Sequence, residues 1–157
     1  MPREAAFKSG RMAFAVYGGF FKDVAEEIGI ERALALHVKQ GDRFGAMLAG
    51  TMKERLSRKP LDTRTLASVL SEADAAFGLS FEIEQDPTSV TVRGHACPIY
   101  DGLKAAGVDH QTIELMCRGI SAAEVAELKK SYPQLSASLR FRSTPEGSCV
   151  EEWALVK

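Results

Sequence analysis

Basic and acidic residues nearly cancel in this chain, 20 against 21, leaving a net charge of −1. That lack of charge excess gives no support for a nucleic-acid partner, whose electrostatic footprint is strongly basic, or for an acidic solvating tail. Cysteine is scarce and odd in number, three in 157 residues. That is too few for a disulfide scaffold. Long apolar runs are missing as well. The most apolar stretch, Met12 to Phe21, contains two glycines and falls far short of the roughly 20 residues a membrane-spanning helix needs. Arg3, Lys8 and Arg11 precede it, as in a signal peptide. Lys22, Asp23, Glu26 and Glu27 follow at once with no small-residue cleavage site, so secretion is not expected. The expected setting is the cytoplasm, with the thiols reduced. No Walker loop, Rossmann GxGxxG, HExxH or GxSxG occurs.

What is present suits an ordinary globular protein. Hydrophobic residues make up 45% and charged residues 26%, which excludes collagen-like and largely disordered chains. The length suits a single domain over 1–157. Helical periodicity runs from Pro2 to Ile28, with Gly18-Gly19 inside it marking a kink or a close helix contact. A second helix starts near Glu31 and carries Gly41, Gly45 and Gly50. It is either broken near Gly41 or packed tightly against a neighbour, and Ser57-Arg-Lys-Pro60 ends it. Asp62 or Thr63 caps a third helix that Gly78 closes. The period then changes to two. Leu79, Phe81 and Ile83, a turn at Asp86-Pro87-Thr88-Ser89, and Val90 and Val92 read as a hairpin. A short helix begins at Cys97-Pro98 and stops at Gly107. Asp109 caps another, and the capping-box pattern Ser121 to Glu124 restarts a helix that Tyr132-Pro133 stops. Leu139 and Phe141, a turn at Thr144 to Gly147, and the stretch from Cys149 to Leu155 form a second hairpin, in which Glu151 shares a face with Cys149 and Trp153. The predicted class is α+β: N-terminal helices, a hairpin, helices and a C-terminal hairpin, with one antiparallel sheet packed on helices.

The chemistry-bearing residues are the cysteines and histidines. His95-Ala-Cys97-Pro98 places a thiol at the start of a helix, where free N–H groups and the helix dipole favour thiolate. His95 is positioned in sequence to act as its base or imidazolium partner. Cys117 and Cys149, taken singly, read as core residues. Their spacing matches no zinc finger or ribbon, so a divalent metal held by Cys97, Cys117 and Cys149 requires distant segments to converge. His37 and His110 read as surface or partly buried. Arg118, Arg140 and Arg142 are expected to face solvent, and a bidentate contact with a substrate carboxylate is open to any one of them.

Cys97-Pro98-Ile-Tyr-Asp-Gly-Leu103-Lys-Ala-Ala-Gly107, then Cys117, Tyr132-Pro133-Gln-Leu135 and Arg142-Ser-Thr144-Pro-Glu-Gly147-Ser-Cys149 resemble the L-2-amino-thiazoline-4-carboxylic acid hydrolase-like family. Gly29-Ile-Glu31-Arg-Ala33-Leu and the glycines Gly41 and Gly45 resemble its helical N-terminal half, so the resemblance covers most of the chain. It implies an α+β fold related to 4-vinyl reductase-type small-ligand domains and, more distantly, to vesicle-tethering subunits. Such folds are often dimers, which implies a homodimer. The implied activity is thiol-dependent hydrolysis of a C–N bond in a small cyclic amide or amidine, with Cys97 as nucleophile or metal ligand, His95 as base, and Cys117 and Cys149 completing the site. The alternative is a non-enzymatic sensor that binds a small ligand or metal. There the thiols, Met12, Met47, Met52, Met116 and the phenylalanines would line an apolar pocket. A further reading is dimerisation through the glycine-containing N-terminal helices.

Overall fold

Helix formers and caps set the long elements, and glycines set how closely they approach. A computed structural model describes residues 2–57 and 59–156. Arg58, within the expected stop at Ser57–Pro60, and both ends of the expected 1–157 domain lie outside the described residues. Helix α1 spans Pro2–Ile28, α2 Ile30–Leu56, α3 Thr63–Phe77, α4 Pro98–Ala105 and α5 His110–Ser131. The strands are β1 Ser80–Gln85, β2 Ser89–Ala96, β3 Leu135–Arg140 and β4 Cys149–Leu155. They form one antiparallel sheet in the order β1-β2-β4-β3. The α+β class read from the sequence is the observed one. No helix among the described residues is long and apolar enough to cross a membrane.

Local chemistry accounts for the element ends. The Asp62 side chain accepts the Thr65 N–H at 2.7 Å, and Asp109 accepts the Thr112 N–H at 2.9 Å, so both act as N-caps. Gly78 closes α3 at φ 79°, a left-handed conformation that suits glycine. Asp86 Oδ1 accepts the N–H groups of Thr88 and Ser89 at 2.7 and 2.8 Å, which builds the β1–β2 turn.

One sheet face is apolar. Ile83 pairs with Val92, Val90 with Trp153, and Trp153 with Ala137, so these side chains share the face that meets the helices. Leu48 and Met52 of α2, Leu66 and Leu70 of α3 and Leu128 of α5 pack with it. A second cluster gathers Phe21, Ala33, Tyr100, Leu103, Ile113, Met116 and Phe141. Helices α2 and α5 contribute to both clusters.

The structure decides one open alternative and changes two expectations. Helix α2 is unbroken through Gly41, because the glycines serve close packing. A Cβ at Gly41 would come 2.7 Å from the Ala123 Cβ, and one at Gly45 would come 2.6 Å from the Glu124 carbonyl oxygen. Likewise Gly18 meets Leu103 of α4 and Ala106 just past its end, whereas Gly19 faces open space. Helix α5 is continuous from His110 to Ser131, so Ser121 to Glu124 is not a new start. Gly119 within it is where the Val38 side chain approaches from α2. Finally, β3 begins at Leu135 and ends at Arg140, while Phe141 and Arg142 are both buried in succession. Two consecutive buried residues break the period of two, so the alternation read at 139–142 ends one pair early.

Gly41→Ala and Gly45→Ala should each cost about 2 kcal/mol, because the added methyl overpacks a helix–helix contact. Gly19→Ala and Gly50→Ala, with nothing within 4 Å, should gain about 0.5–1 kcal/mol from helix propensity. Urea unfolding of the four variants reads the contrast, and equal effects at all four positions would contradict the packing.

Candidate functional site

The three cysteines come from separate elements and meet at one end of the interior. Cys97 is the N-cap of α4, Cys117 lies on α5 and Cys149 opens β4. All three are free thiols packed against the cluster of Phe21, Tyr100, Leu103 and Met116. The Cys97 Sγ accepts the Tyr100 N–H at 3.4 Å. That bond and the neighbouring Arg142 both favour thiolate, but burial outweighs them and pushes the Cys97 thiol up to about 11. Burial raises the Cys117 thiol further, with the other two thiols adding to the effect. Among the described residues no group of three or more His, Cys, Asp or Glu side chains is arranged to hold a metal ion. The metal reading of Cys97, Cys117 and Cys149 therefore gains no support from geometry.

His95 does not turn toward the cysteines. Phe81 pairs with Gly94 and Ser80 with Ala96, so His95 is one extra residue on β2, a bulge. Its half-exposed ring faces the exposed Glu82, with Nε2 3.4 Å from Oε1. Of the other two histidines, His37 is buried more deeply than expected and His110 is partly buried, as expected. Tyr17 Oη lies 2.6 Å from His37 Nδ1, and burial lowers the His37 pKa. His110 Nδ1 lies 2.8 Å from Tyr100 Oη, and the His110 ring sits against Phe141.

Arg142 is the residue that sequence reasoning placed wrongly. Arg118 is exposed and bonded to Glu114 at 2.7 Å, and Arg140 is exposed, both as expected. Arg142 is only 4% exposed. Its guanidinium carbon lies 4.5 Å from the centroid of the Tyr100 ring, a cation–π contact. Nη1 donates to the Pro145 carbonyl at 3.1 Å, while Nε and Nη2 are buried beside the Cys149 thiol and, among the described residues, make no hydrogen bond of normal geometry. Burial works to lower its pKa, but the Cys149 thiol beside it and the nearby Cys97 and Tyr100 outweigh this, so the guanidinium stays charged. The usable signal in the sequence was its position just past the end of a strand, next to a large aromatic residue.

A second polar group lies between the helices and the sheet. Asp74 of α3, Glu124 of α5 and Glu151 of β4 lie close enough to act on one another. Burial, reinforced by the Glu151 carboxyl, raises Asp74 to about 7 and Glu124 to about 8. Glu151 is itself raised by burial, against the Trp153 indole N–H that donates to it at 3.1 Å. Glu151 also acts weakly on Cys117, so the carboxyl group lies on the side of the thiols facing the sheet and forms with them a polar seam between helices and sheet. Only Glu151 left a trace in the sequence, as the charged member of an otherwise apolar strand face.

No family model matches the chain, and no curated protein matches it. Solved structures do. One is trafficking protein particle complex subunit 3 from Naegleria fowleri, covalently bound to palmitic acid. It is 11% identical, with a TM-score of 0.55 over 95% of this chain and 96% of that one. The likeness shows a shared fold. It leaves the resemblance to the thiazoline hydrolase-like family neither strengthened nor weakened.

The carboxyl cluster sets a pH dependence. In the folded state Asp74 and Glu124 hold protons that an unfolded chain releases near pH 4. Stability is therefore intact below about pH 4 for these groups and is lost as pH rises through about 7 and 8. The melting temperature should fall steadily between pH 5 and pH 9. Glu124→Gln should flatten that slope in thermal unfolding. A slope of opposite sign would show that the carboxyls are ionised when buried.

Proposed function

We propose that the chain is a small-molecule-binding domain of the sensor type, with the cluster of Cys97, Cys117 and Cys149 beside Arg142 as its binding centre. The observation that carries this reading is the convergence of three thiols and one charged, incompletely bonded arginine inside an otherwise apolar core. Buried polar groups without partners are costly, and a bound molecule offers the missing acceptors. A protein of the same fold, the Naegleria trafficking subunit, was solved covalently bound to palmitic acid, which supports a small-molecule role for this architecture. Met12 and Met47 are exposed and take no part in the lining, whereas Met52 and Met116 are fully buried.

Thiol-dependent hydrolysis of a cyclic amide or amidine is the second reading. Its support is the position of Cys97 at a helix N-cap, with an N–H group on its sulfur. Two observations rank it lower. Cys97 is held protonated by burial, and His95 is turned to the opposite side of the strand toward Glu82. A cytoplasmic setting, which keeps thiols reduced, serves either reading.

The test is iodoacetamide labelling of the full chain, read by mass spectrometry at each cysteine, with and without 2-aminothiazoline-4-carboxylate. Cys97 and Cys117 should label slowly, and the added compound should slow labelling at the cluster without being consumed. Unchanged labelling at all three cysteines would refute the cluster as a binding centre. Turnover that disappears in Cys97→Ser would reinstate the hydrolase.

The homodimer belongs to the same proposal. On α1, Met12, Val16 and Phe20 are 69%, 72% and 63% exposed and recur every four residues, so they form one apolar stripe. Light scattering should give a dimer for the native chain and a monomer for Val16→Asp with Phe20→Asp. A monomeric native chain, or a dimer that survives both substitutions, would rule this face out.

A further inference from the structure

A buried arginine with no carboxylate partner among the described residues calls for an anion. Burying a guanidinium removes its hydration, and the cost is recovered only when the remaining donors are bonded. Arg142 meets half of that need. Its Nη1 bonds to the Pro145 carbonyl and its face rests on Tyr100. Nε and Nη2, which among the described residues have only the weakly accepting Cys149 thiol beside them and no hydrogen bond of normal geometry, are neighbours on one edge of the guanidinium. That edge is the one that takes a carboxylate through two parallel bonds. The surroundings reinforce the same sign. Cys97 begins α4 three residues before Tyr100, so the positive end of that helix opens beside Arg142. Asp101 of α4 and the exposed Glu146 of the β3–β4 loop act on Tyr100, but among the described residues neither bonds to Arg142.

We propose that Arg142 is the anchor for the carboxylate of a small molecule. Nε and Nη2 hold the carboxylate side-on, and the rest of the molecule lies against Tyr100, Phe141 and the thiols of Cys97 and Cys149. This rests on the cysteine cluster being a binding centre and adds the chemical class of the ligand. One flat two-donor edge suits a planar carboxylate. A phosphate group, with its tetrahedral oxygens and higher charge, asks for more donors than the site supplies. The orphan donors, and not the charge alone, also predict that lysine is a poor substitute, since an ammonium is a point charge without the fork.

The experiment is calorimetric titration of the full native chain with four probes: acetate, thiazoline-4-carboxylate, thiazoline-4-carboxamide and inorganic phosphate. Thiazoline-4-carboxylate should bind at least about tenfold more tightly than the carboxamide, the margin expected for charge-assisted bonds. Acetate should compete with it, and phosphate should not. Arg142→Gln should lose the preference for carboxylate over carboxamide, and Arg142→Lys should recover only part of it. The native-chain comparison needs no variant, so a poorly folding substitution does not blunt the test. Equal binding of carboxylate and carboxamide would overturn the anchor while leaving the cysteine cluster as a binding centre. Phosphate binding as tightly as the carboxylate would overturn the ligand class. Absence of carboxylate binding altogether would overturn the anchor, and the labelling of the thiols then decides separately whether the cluster binds anything.

Discussion

The close contact between α2 and α5 is the constraint on which the interior depends. Gly41 and Gly45 let the α2 backbone come against Ala123 and Glu124 of α5, at distances that no side chain would permit. Two helices that close cannot leave a wide apolar layer between them, so Glu124 is driven inside, toward Asp74 and Glu151. The same approach aligns the N-terminal half of α5 with α1 and α4, where Ile113 and Met116 meet Phe21, Tyr100 and Leu103. Cys117 follows Met116 in the chain and so joins the thiol cluster. Close helix packing and the buried polar seam are thus two consequences of one arrangement of glycines.

That seam divides the interior by charge. At one end the Asp74 and Glu124 carboxyls are pushed toward the protonated form by burial and by the Glu151 carboxyl beside them. At the other, a guanidinium lies against an aromatic ring, with two donors that make no hydrogen bond of normal geometry among the described residues. The thiols sit between, and burial keeps Cys97 and Cys117 neutral in spite of the arginine. A neutral, polarisable thiol is a good contact surface and a poor nucleophile. This is why the geometry suits recognition of a small molecule better than attack on one.

The histidine beside the Cys-Pro pair shows how one backbone irregularity redirects chemistry. On a regular strand, residues two apart share a face, so His95 and Cys97 would point the same way. The bulge at His95 inserts an extra residue, and the ring is left on the outside facing Glu82. No residue type in the stretch His95 to Pro98 announces the bulge, because it arises from the pairing of β2 with β1.

What the sequence by itself determined was local. The period of 3.6 and the caps at Asp62, Asp109 and Cys97 placed the helices, and the Asp86 turn placed the first hairpin, because each depends on residues within a few positions of one another. The α+β class followed from their order. Only the tertiary structure decided that α5 runs unbroken past Gly119, since that glycine accommodates Val38 of another helix. Only the tertiary structure separated Arg142 from Arg118 and Arg140, and gathered Asp74, Glu124 and Glu151 from three elements. Burial of a charge is a property of what packs around it, and those neighbours lie far away along the chain.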